Sequence, residues 1–321
     1  MQIEKSKILN LKLEKNSMGS QHIPVMLEEA MMLLNCGPHQ AYVDGTLGGG
    51  GHTLEILKRS APDGIVIAIE WDEDAISEAK KALMPYGERI KIVRDNFIHL
   101  PDILKTMKID YVDGILLDLG LSSMQLEKGE RGFSFQGEGP LDMRMDQRMD
   151  RTAADLVNHL SLEELENTLS QYGEERWAKR IAKAIVLERG REPIRTTQTL
   201  RKIVHHAIPR RFHFRKIDPA TKTFQALRIK VNNELGNLEK ILETGWMLLR
   251  RGGRMCVISF HSLEDRIVKE TFRKFERGEA KGSVQGAVMR ILTKKPLTPS
   301  EEERRRNPRS RSAKLRCAER V

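Results

Sequence analysis

Two features of the sequence have the chemistry to hold a nucleoside-containing cofactor. Glycines occupy positions 45, 48, 49, 50 and 51, directly after an apolar run at 41–43 and Asp44. A second apolar run, at 65–69, ends in Glu70, about twenty residues beyond the glycines. Glycine lets the backbone pass close to a ligand, and a carboxylate at this distance can accept hydrogen bonds from ribose hydroxyls.

The glycine spacing narrows the choice of cofactor. The dinucleotide pattern G-x-G-x-x-G/A fails, because Thr53 and Leu54 stand where its last small residue belongs. No Gly-Lys-Ser/Thr follows, which argues against a nucleoside triphosphate. S-adenosylmethionine fits better, with Glu70 for the ribose, Phe97 as a flat wall for adenine and the glycines for the methionine tail. Asp118 then lies where the transferable methyl group meets its acceptor. An NAD-dependent oxidoreductase on the same core remains an alternative.

An alternation of strand-like and helix-like segments positions these residues. Apolar runs at 41–43, 65–69, 90–93 and 112–117 are predicted strands, with helical patterns between them. This alternation predicts a Rossmann-like α/β fold, a parallel sheet with helices on both faces. Ligands of such sheets bind beyond the carboxyl ends of the strands, where Glu70, Phe97 and Asp118 fall.

The alternation stops after residue 118 and resumes beyond 216. Residues 120–150 have no clear period, and only helical patterns appear at 152–216, including a capping box at 161–164. A long amphipathic helix at 223–249, bent at Gly236 or Gly245, precedes strands at 255–258 and 287–292. We predict a flexible extension at 1–21, a core formed by 22–124 and 217–321, and an inserted loop plus helical substrate-recognition domain at 125–216.

The charge distribution favours a polyanionic partner. The net charge is +10, with six cations and no acid at 201–216 and ten cations beside four glutamates in the tail at 293–321. The first segment also holds two phenylalanines and three histidines. Cations interleaved with aromatic rings suit phosphates and stacked bases, so RNA is the expected partner. A non-catalytic RNA-binding assembly factor is a second alternative.

Several classes of protein find no support in the sequence. No window approaches the roughly 18 uninterrupted apolar residues of a membrane span, and the first twenty residues lack the apolar centre of a secretory signal. The three cysteines form no CxxC pair, and no HExxH occurs, so we expect no metal. We therefore expect a cytoplasmic protein with reduced cysteines.

Seven motifs resemble those of the bacterial 16S ribosomal RNA cytosine-N4 methyltransferase family. In chain order they are DGTLGGGGH, LLDLGLSSMQ, ERGFSF, GPLDMRMD, FQALRIKVNNEL, SFHSLEDR and NPRSRSAKLR. The resemblance runs from about His22 to the C-terminus. It implies a class I methyltransferase core with an inserted all-helical domain. It also implies methyl transfer from S-adenosylmethionine to the N4 exocyclic amine of a cytidine in the decoding centre of 16S rRNA, within the small ribosomal subunit.

The resemblance also assigns site residues. The cofactor contacts of the family fall on Gly50, Gly51, His52, Glu70, Phe97, Asp118 and Gln125. Related proteins often carry aspartate where this chain has Glu70, whose extra methylene still permits the same hydrogen bonds. Asp118 is also the predicted catalytic residue, as an acceptor for the cytosine amine, with Ser122 or Ser123 in support. The aromatic residue that holds the base is left open among Phe133, Phe135 and Phe260. Secondary candidates for proton handling are Asp142, Asp146 and His261.

Overall fold

The computed structural model describes residues 23–122, 125–126, 128–213, 218–280 and 286–321. Seven strands form one sheet in the order β3-β2-β1-β4-β5-β7-β6. They are β1 (Ala41–Asp44), β2 (Ile65–Glu70), β3 (Ile90–Arg94), β4 (Val112–Asp118), β5 (Leu249–Ser259), β6 (Met289–Ile291) and β7 (Lys314–Arg320). The first five strands are parallel, whereas β7 runs antiparallel to both β5 and β6. The predicted Rossmann-like α/β fold is confirmed, but a wholly parallel sheet is wrong because β7 is antiparallel to its neighbours.

Helices surround this sheet and form a second body beside it. The described residues contain α1 (Leu27–Leu34), α2 (Gly51–Arg59), α3 (Glu73–Leu83), α4 (Leu100–Thr106), α5 (Ala153–His159), α6 (Leu162–Gly173), α7 (Ala178–Arg189), α8 (Thr197–Ala207), α9 (Thr221–Asn232), α10 (Glu234–Leu248), α11 (Ser262–Glu276) and α12 (Glu301–Arg306). Among the described residues, no helix combines the length and apolar character needed to cross a membrane.

Both faces of the sheet are covered, because neighbouring residues of a strand point to opposite faces. Val43 and Leu117 belong to one hydrophobic cluster, while Tyr42 and Leu116 belong to another on the opposite face. All four side chains are buried. A strand with both faces buried has a continuous apolar sequence, which is why these strands could be predicted from the sequence.

A third hydrophobic cluster, which we call the helical cluster, is formed mainly by α5 to α9. The loop before α5 contributes Phe133, Leu141, Met143 and Met145 to it. The predicted capping box is confirmed, because Ser161 and Glu164 each bond the backbone N–H of the other at the start of α6. The boundary at 216/217 stays a prediction and lies among undescribed residues, as does the extension at 1–21.

The long helix expected at 223–249 is two helices. Asn233 has φ 50° and ψ 39°, a left-handed conformation that asparagine tolerates better than most residues. It ends α9 and begins α10, so the break falls at Asn233 rather than at Gly236 or Gly245. The break lets α9 pack against the helical cluster while α10 packs against the sheet.

The basic tail is more ordered than its composition indicates. The side chain of Glu303 in α12 accepts a hydrogen bond from the Met26 N–H at 2.7 Å, and Asn307 donates to the Ile23 carbonyl at 3.0 Å. In β7, Arg316 is buried, and its ion pair with Asp265 at 2.7 Å offsets the cost of burying its charge. This strand was not predicted from the sequence, because its charged residues hide its buried positions.

Candidate active site

One large cavity opens at the carboxyl ends of β1, β2 and β4. Its volume is about 1160 Å³, enough for a nucleoside cofactor and part of a second ligand. The strand order reverses between β1 and β4, so the cavity lies at the topological switch point of the sheet. All seven residues predicted to contact the cofactor line it: Gly50, Gly51, His52, Glu70, Phe97, Asp118 and Gln125.

The glycine loop connects β1 to α2 above the buried Asp44. The carboxylate of Asp44 accepts a hydrogen bond from Thr53 Oγ1 at 2.7 Å, which ties the first turn of α2 to the strand. Gly50 has φ 80°, a left-handed conformation that a residue with a Cβ adopts only with strain. The first N–H groups of α2 have no partner within the helix, so a partial positive charge faces the cavity.

Glu70 ties this loop to the tip of β2. Its Oε2 accepts a hydrogen bond from the Gly48 N–H at 2.9 Å, and its Oε1 accepts from the N–H groups of Trp71 and Asp72 at 2.9 and 3.0 Å. A carboxylate oxygen has two lone pairs, so Oε2 has capacity for a ligand hydroxyl. Burial raises the pKa of Glu70 to about 7, although the three N–H donors favour its charged form.

Phe97 forms an apolar wall of the cavity just after β3. Asn96 begins the short 3₁₀ helix Phe97–His99 by accepting a hydrogen bond from the Ile98 N–H at 3.1 Å. Asp95 Oδ1 accepts a hydrogen bond from the Asn96 N–H at 2.7 Å. These bonds fix the backbone that presents the ring.

Gln125 connects the loop after β4 to the start of α3. Its Nε2 donates to Asp72 Oδ2 at 2.9 Å, and its Oε1 accepts from the Ser122 N–H at 3.0 Å. Arg131 also pairs with Asp72, at 3.0 Å. The amide of Gln125 therefore holds the loop in place beside the cavity. Ser123, the second serine candidate, lies outside the described residues.

Asp118 ends β4 at the centre of the site. Its backbone N–H donates to Thr46 Oγ1 at 2.6 Å, and its Oδ2 lies 3.6 Å from His52 Nδ1. The other oxygen, Oδ1, is buried and has no hydrogen-bond partner among the described residues, although the whole side chain keeps 18% exposure. An unsatisfied buried acceptor costs about 1–3 kcal/mol, so a ligand that donates to Oδ1 recovers that energy.

The ring of His52 faces Asp118 without donating a hydrogen to it. Its Nε2 lies 3.1 Å from the carbonyl oxygen of Val25, so Nε2 carries the hydrogen and Nδ1 presents a lone pair to Asp118. Burial lowers the pKa of His52 to about 4, which keeps the ring neutral. Burial, with the nearby charges of Asp44 and Glu264, raises the pKa of Asp118 well above its ordinary value. The region around Asp118 therefore favours a bound cation, and the carboxylate of Asp118 binds a proton more readily than an exposed aspartate.

Of the three aromatic candidates for holding a base, the structure brings Phe260 to the cavity. It lies against Gly120, where a Cβ would approach its ring to 3.1 Å. Phe133 is buried in the helical cluster, and Phe135 packs edge-on against Phe224 with centroids 4.9 Å apart. Both side chains lie away from the cavity because they fill the helical cluster.

The acidic candidates for proton handling are engaged elsewhere. Asp142 pairs with Arg144 at 2.8 Å, and Asp146 pairs with Arg148 at 2.7 Å. Each carboxylate also accepts the backbone N–H of its arginine, so the two pairs are local turns. Neither aspartate lines the cavity.

Glu264 is a buried cavity residue that sequence reasoning missed. Its Oε2 accepts hydrogen bonds from the N–H groups of Phe260 and His261 at 2.8 and 3.3 Å, while His261 caps α11. The sequence signal for Glu264 is its position three residues after the capping residue of α11. This signal is hard to recognise because the capping residue is a histidine. The side chains of Glu234, His261 and Glu264 place atoms of the kind that bind metal ions within 4.8 Å of one another. Arg228 donates to both oxygens of Glu234 at 2.8 Å, so this group is a capping and ion-pair network.

Comparison with known proteins identifies the family of this fold and cavity. The model of the MraW methylase family matches residues 19–321. Ribosomal RNA small subunit methyltransferase H from Desulfotalea psychrophila is 52% identical over 300 residues, which cover 94% of this chain and 98% of that protein. The proteins of the same name from Syntrophus aciditrophicus and Geotalea uraniireducens are 49% and 50% identical, with the same coverage. With its glycine loop, acidic strand tip and terminal aspartate in one cavity, the chain belongs to the MraW methylase family.

Proposed function

We propose that this protein transfers a methyl group from S-adenosylmethionine to the N4 exocyclic amine of a cytidine in the decoding centre of 16S rRNA. The name shared by its relatives and the seven motifs support ribosomal RNA as the substrate. The observation that carries the chemistry is the buried Asp118 Oδ1, an acceptor without a partner among the described residues, in the cavity of a methylase.

The cavity residues fit S-adenosylmethionine. We assign Glu70 to the ribose hydroxyls, Phe97 to the adenine ring, and Gly50 and Gly51 to the methionine tail beside the start of α2. When bound, the cofactor supplies an electrophilic methyl group on a positively charged sulfur. The carboxylates around Asp118 favour that charge, because a cation offsets their mutual repulsion.

Two further residues position the cofactor site. His52 contacts Asp118 and stays neutral, so it adds no positive charge that would oppose a sulfonium. Gln125 fixes the loop after β4 through Asp72 and Ser122. We assign both residues to the cofactor-binding shell of the cavity that they line.

Asp118 is the proposed catalytic residue. The N4 amine of cytosine is a poor nucleophile, because its lone pair is delocalised into the ring. Asp118 Oδ1 accepts a hydrogen bond from N4, draws the amine toward tetrahedral geometry and takes the proton that N4 loses on methylation. The raised pKa of Asp118 makes its carboxylate a stronger base than an exposed aspartate. Phe260 is assigned to stack on the flipped-out base.

The insertion at 125–216 and the basic tail are the proposed RNA-binding parts, and the assembled small subunit in the cytoplasm is the proposed substrate. Their excess of cations is the property expected of surfaces that bind RNA phosphates. A rate comparison between naked 16S rRNA and purified small subunits tests this choice. Faster methylation of the subunit is expected, and equal rates contradict it.

Nucleoside mass spectrometry tests the reaction itself. Purified small subunits from cells that lack this gene are incubated with the protein and S-adenosylmethionine, and their rRNA is digested to nucleosides. We expect new N4-methylcytidine, and methylation of another nucleoside contradicts the assignment. Calorimetry with both cofactors addresses the oxidoreductase alternative, which requires tight NAD binding and no response to S-adenosylmethionine. Absence of any methyl transfer, with RNA binding intact, would instead favour the assembly factor.

A further inference from the structure

Two aromatic rings and three arginines form one cluster on the helical cluster's surface. Trp177 and Phe212 lie with ring centroids 5.1 Å apart. The guanidinium of Arg176 lies 4.5 Å from the Phe212 centroid and 5.1 Å from that of Trp177. Arg180 lies 5.8 Å from the Trp177 centroid, and Arg211 lies 5.0 Å from the Phe212 centroid. We call these five residues the aromatic platform.

Local bonds hold the platform in shape. The backbone N–H of Trp177 donates to Glu175 Oε1 at 2.8 Å just before α7 begins. This bond fixes the backbone from which the indole projects. Pro209 precedes the single 3₁₀ turn Arg210–Phe212, whose last residue carries the second ring. Both rings are partly buried against the helical cluster, which limits their orientation, and partly exposed beside the guanidinium groups.

Among the described residues, no carboxylate neutralises the positive charge of the platform. Arg176, Arg180 and Arg211 are exposed, and none of them forms an ion pair with a carboxylate of the described chain. The same holds for three neighbouring exposed cations: Lys179, Lys183 and Arg210. Arginines with a purely structural role usually bond carboxylates or carbonyls, as Arg189 does with the carbonyls of Val157 and Leu160. The platform therefore presents unpaired cations and flat rings together.

Side-chain contacts of Glu174 link the segment that carries the platform to the segment that carries the cavity residue Phe260. Glu174, three residues before Trp177, accepts hydrogen bonds from Ser262 Oγ at 2.7 Å and from Arg266 at 2.8 Å. Ser262 begins α11 and follows Phe260, which lines the cavity, by two residues. Three residues of chain span at most about 11 Å, so the Cα atom of Trp177 lies within that distance of the Cα atom of Glu174.

We propose that the aromatic platform binds unpaired RNA nucleotides that flank the target nucleotide, with bases stacked on its rings and phosphates bound by its arginines. This inference rests on the proposed function for the identity of the RNA. Single-stranded RNA is the occupant because rings and guanidinium planes stack on exposed bases, which a duplex keeps covered. Flat rings add nothing to duplex binding, which uses phosphates and hydroxyl groups.

Two double variants separate stacking from charge. Trp177→Leu with Phe212→Leu keeps apolar volume against the helical cluster but removes the flat rings. Arg176→Gln with Arg211→Gln removes two exposed charges and leaves the rings. The control is Arg273→Gln with Lys274→Gln, two exposed cations near the other end of α11. Thermal unfolding of all variants, and calorimetry with S-adenosylmethionine, confirm that the fold and cofactor site are retained.

Fluorescence anisotropy measures binding of a short single-stranded oligoribonucleotide, and of the same strand annealed to its complement, at several salt concentrations. The leucine variant should bind the single strand at least about fivefold more weakly, with little change for the duplex. The glutamine variant should lower the salt slope by about 1.4, or about 0.7 for each phosphate that it no longer binds. The control should match the wild type.

Methylation of small subunits gives an independent readout. In the leucine variant KM should rise while kcat and cofactor affinity stay unchanged. Single-strand affinity equal to that of the wild type in both platform variants overturns the inference, as does equal loss of duplex and single-strand binding. Normal RNA binding with impaired subunit methylation would point to a ribosomal protein and also overturns it. Failure of the proposed function is recognised separately, because the wild type would then bind RNA without forming N4-methylcytidine.

Discussion

Replacing Asp118 by asparagine separates proton acceptance from hydrogen bonding. His52 Nδ1 presents a lone pair because its Nε2 hydrogen is committed to the Val25 carbonyl. The amide NH₂ of Asp118→Asn therefore turns toward His52, and the amide oxygen takes the position of Oδ1. The variant still accepts a hydrogen bond from N4 but cannot take its proton.

The expected magnitude follows from this orientation. Loss of a general base typically lowers a rate by about 10²- to 10⁴-fold. At 1.36 kcal/mol for each factor of ten, the barrier rises by about 3–5 kcal/mol. Affinity for S-adenosylhomocysteine, which has no charge on its sulfur, should change little. Affinity for S-adenosylmethionine should fall further, because the variant has lost a negative charge beside the sulfonium.

Single-turnover methyl transfer to small subunits is the appropriate assay, because product release limits many steady-state rates. In the wild type the rate should rise with pH, since burial raises the pKa of Asp118 and the base acts only when ionised. The rate of Asp118→Asn should not change with pH over the range in which the wild-type rate rises. Asp142→Asn is the matched control, because its partner is Arg144 and it does not line the cavity. A wild-type rate in Asp118→Asn, or an unchanged pH profile, refutes the catalytic role.

Other side chains around the cavity make separate predictions. Burial raises the pKa of Glu70 from 4.5 to about 7, so as pH rises between these values the cofactor-free wild type should lose about 3 kcal/mol of unfolding free energy relative to Glu70→Gln. Urea unfolding of both proteins at several pH values measures this difference. The contribution of His52 has the opposite sign but is common to both proteins, so it cancels in the difference. Parallel curves of unfolding free energy against pH would contradict the prediction. Gly51→Ala places a Cβ into the Pro24 ring and should cost about 1–3 kcal/mol of stability and weaken cofactor binding. Unchanged thermal unfolding and calorimetry would show that the ring yields freely. Glutamine at all three arginines of 304–306, which are exposed on α12 beside the cavity, should weaken RNA binding and flatten its salt dependence. An unchanged slope shows that those charges face solvent only.

The sequence predicted the parts of the fold that use local signals. The buried runs ending in Asp44, Glu70 and Asp118 read as strands because both faces of the sheet are covered. The glycine positions identified a close backbone approach, and the left-handed Gly50 agrees with it. Strand alternation then placed these residues at one edge of the sheet, where they share a cavity.

The remaining features depend on contacts between distant segments. Arg316 makes β7 look like a solvated tail, although the strand lies between β5 and β6 and Arg316 pairs with Asp265. Glu264 reads as an ordinary first-turn acid until the fold places it in the cavity. In the sequence, Phe212 belongs to the basic stretch at 201–216 and Trp177 to a separate helical pattern, and they meet only because α7 and the turn after α8 pack together.

A crystal structure with S-adenosylhomocysteine and cytidine tests the central claim most directly. We expect the cytidine N4 about 2.7–3.2 Å from Asp118 Oδ1, within hydrogen-bonding distance, with Glu70 on the ribose hydroxyls and Phe97 on the adenine of the cofactor product. A cytidine bound with its amine away from Asp118, or a cavity that admits neither molecule, contradicts it.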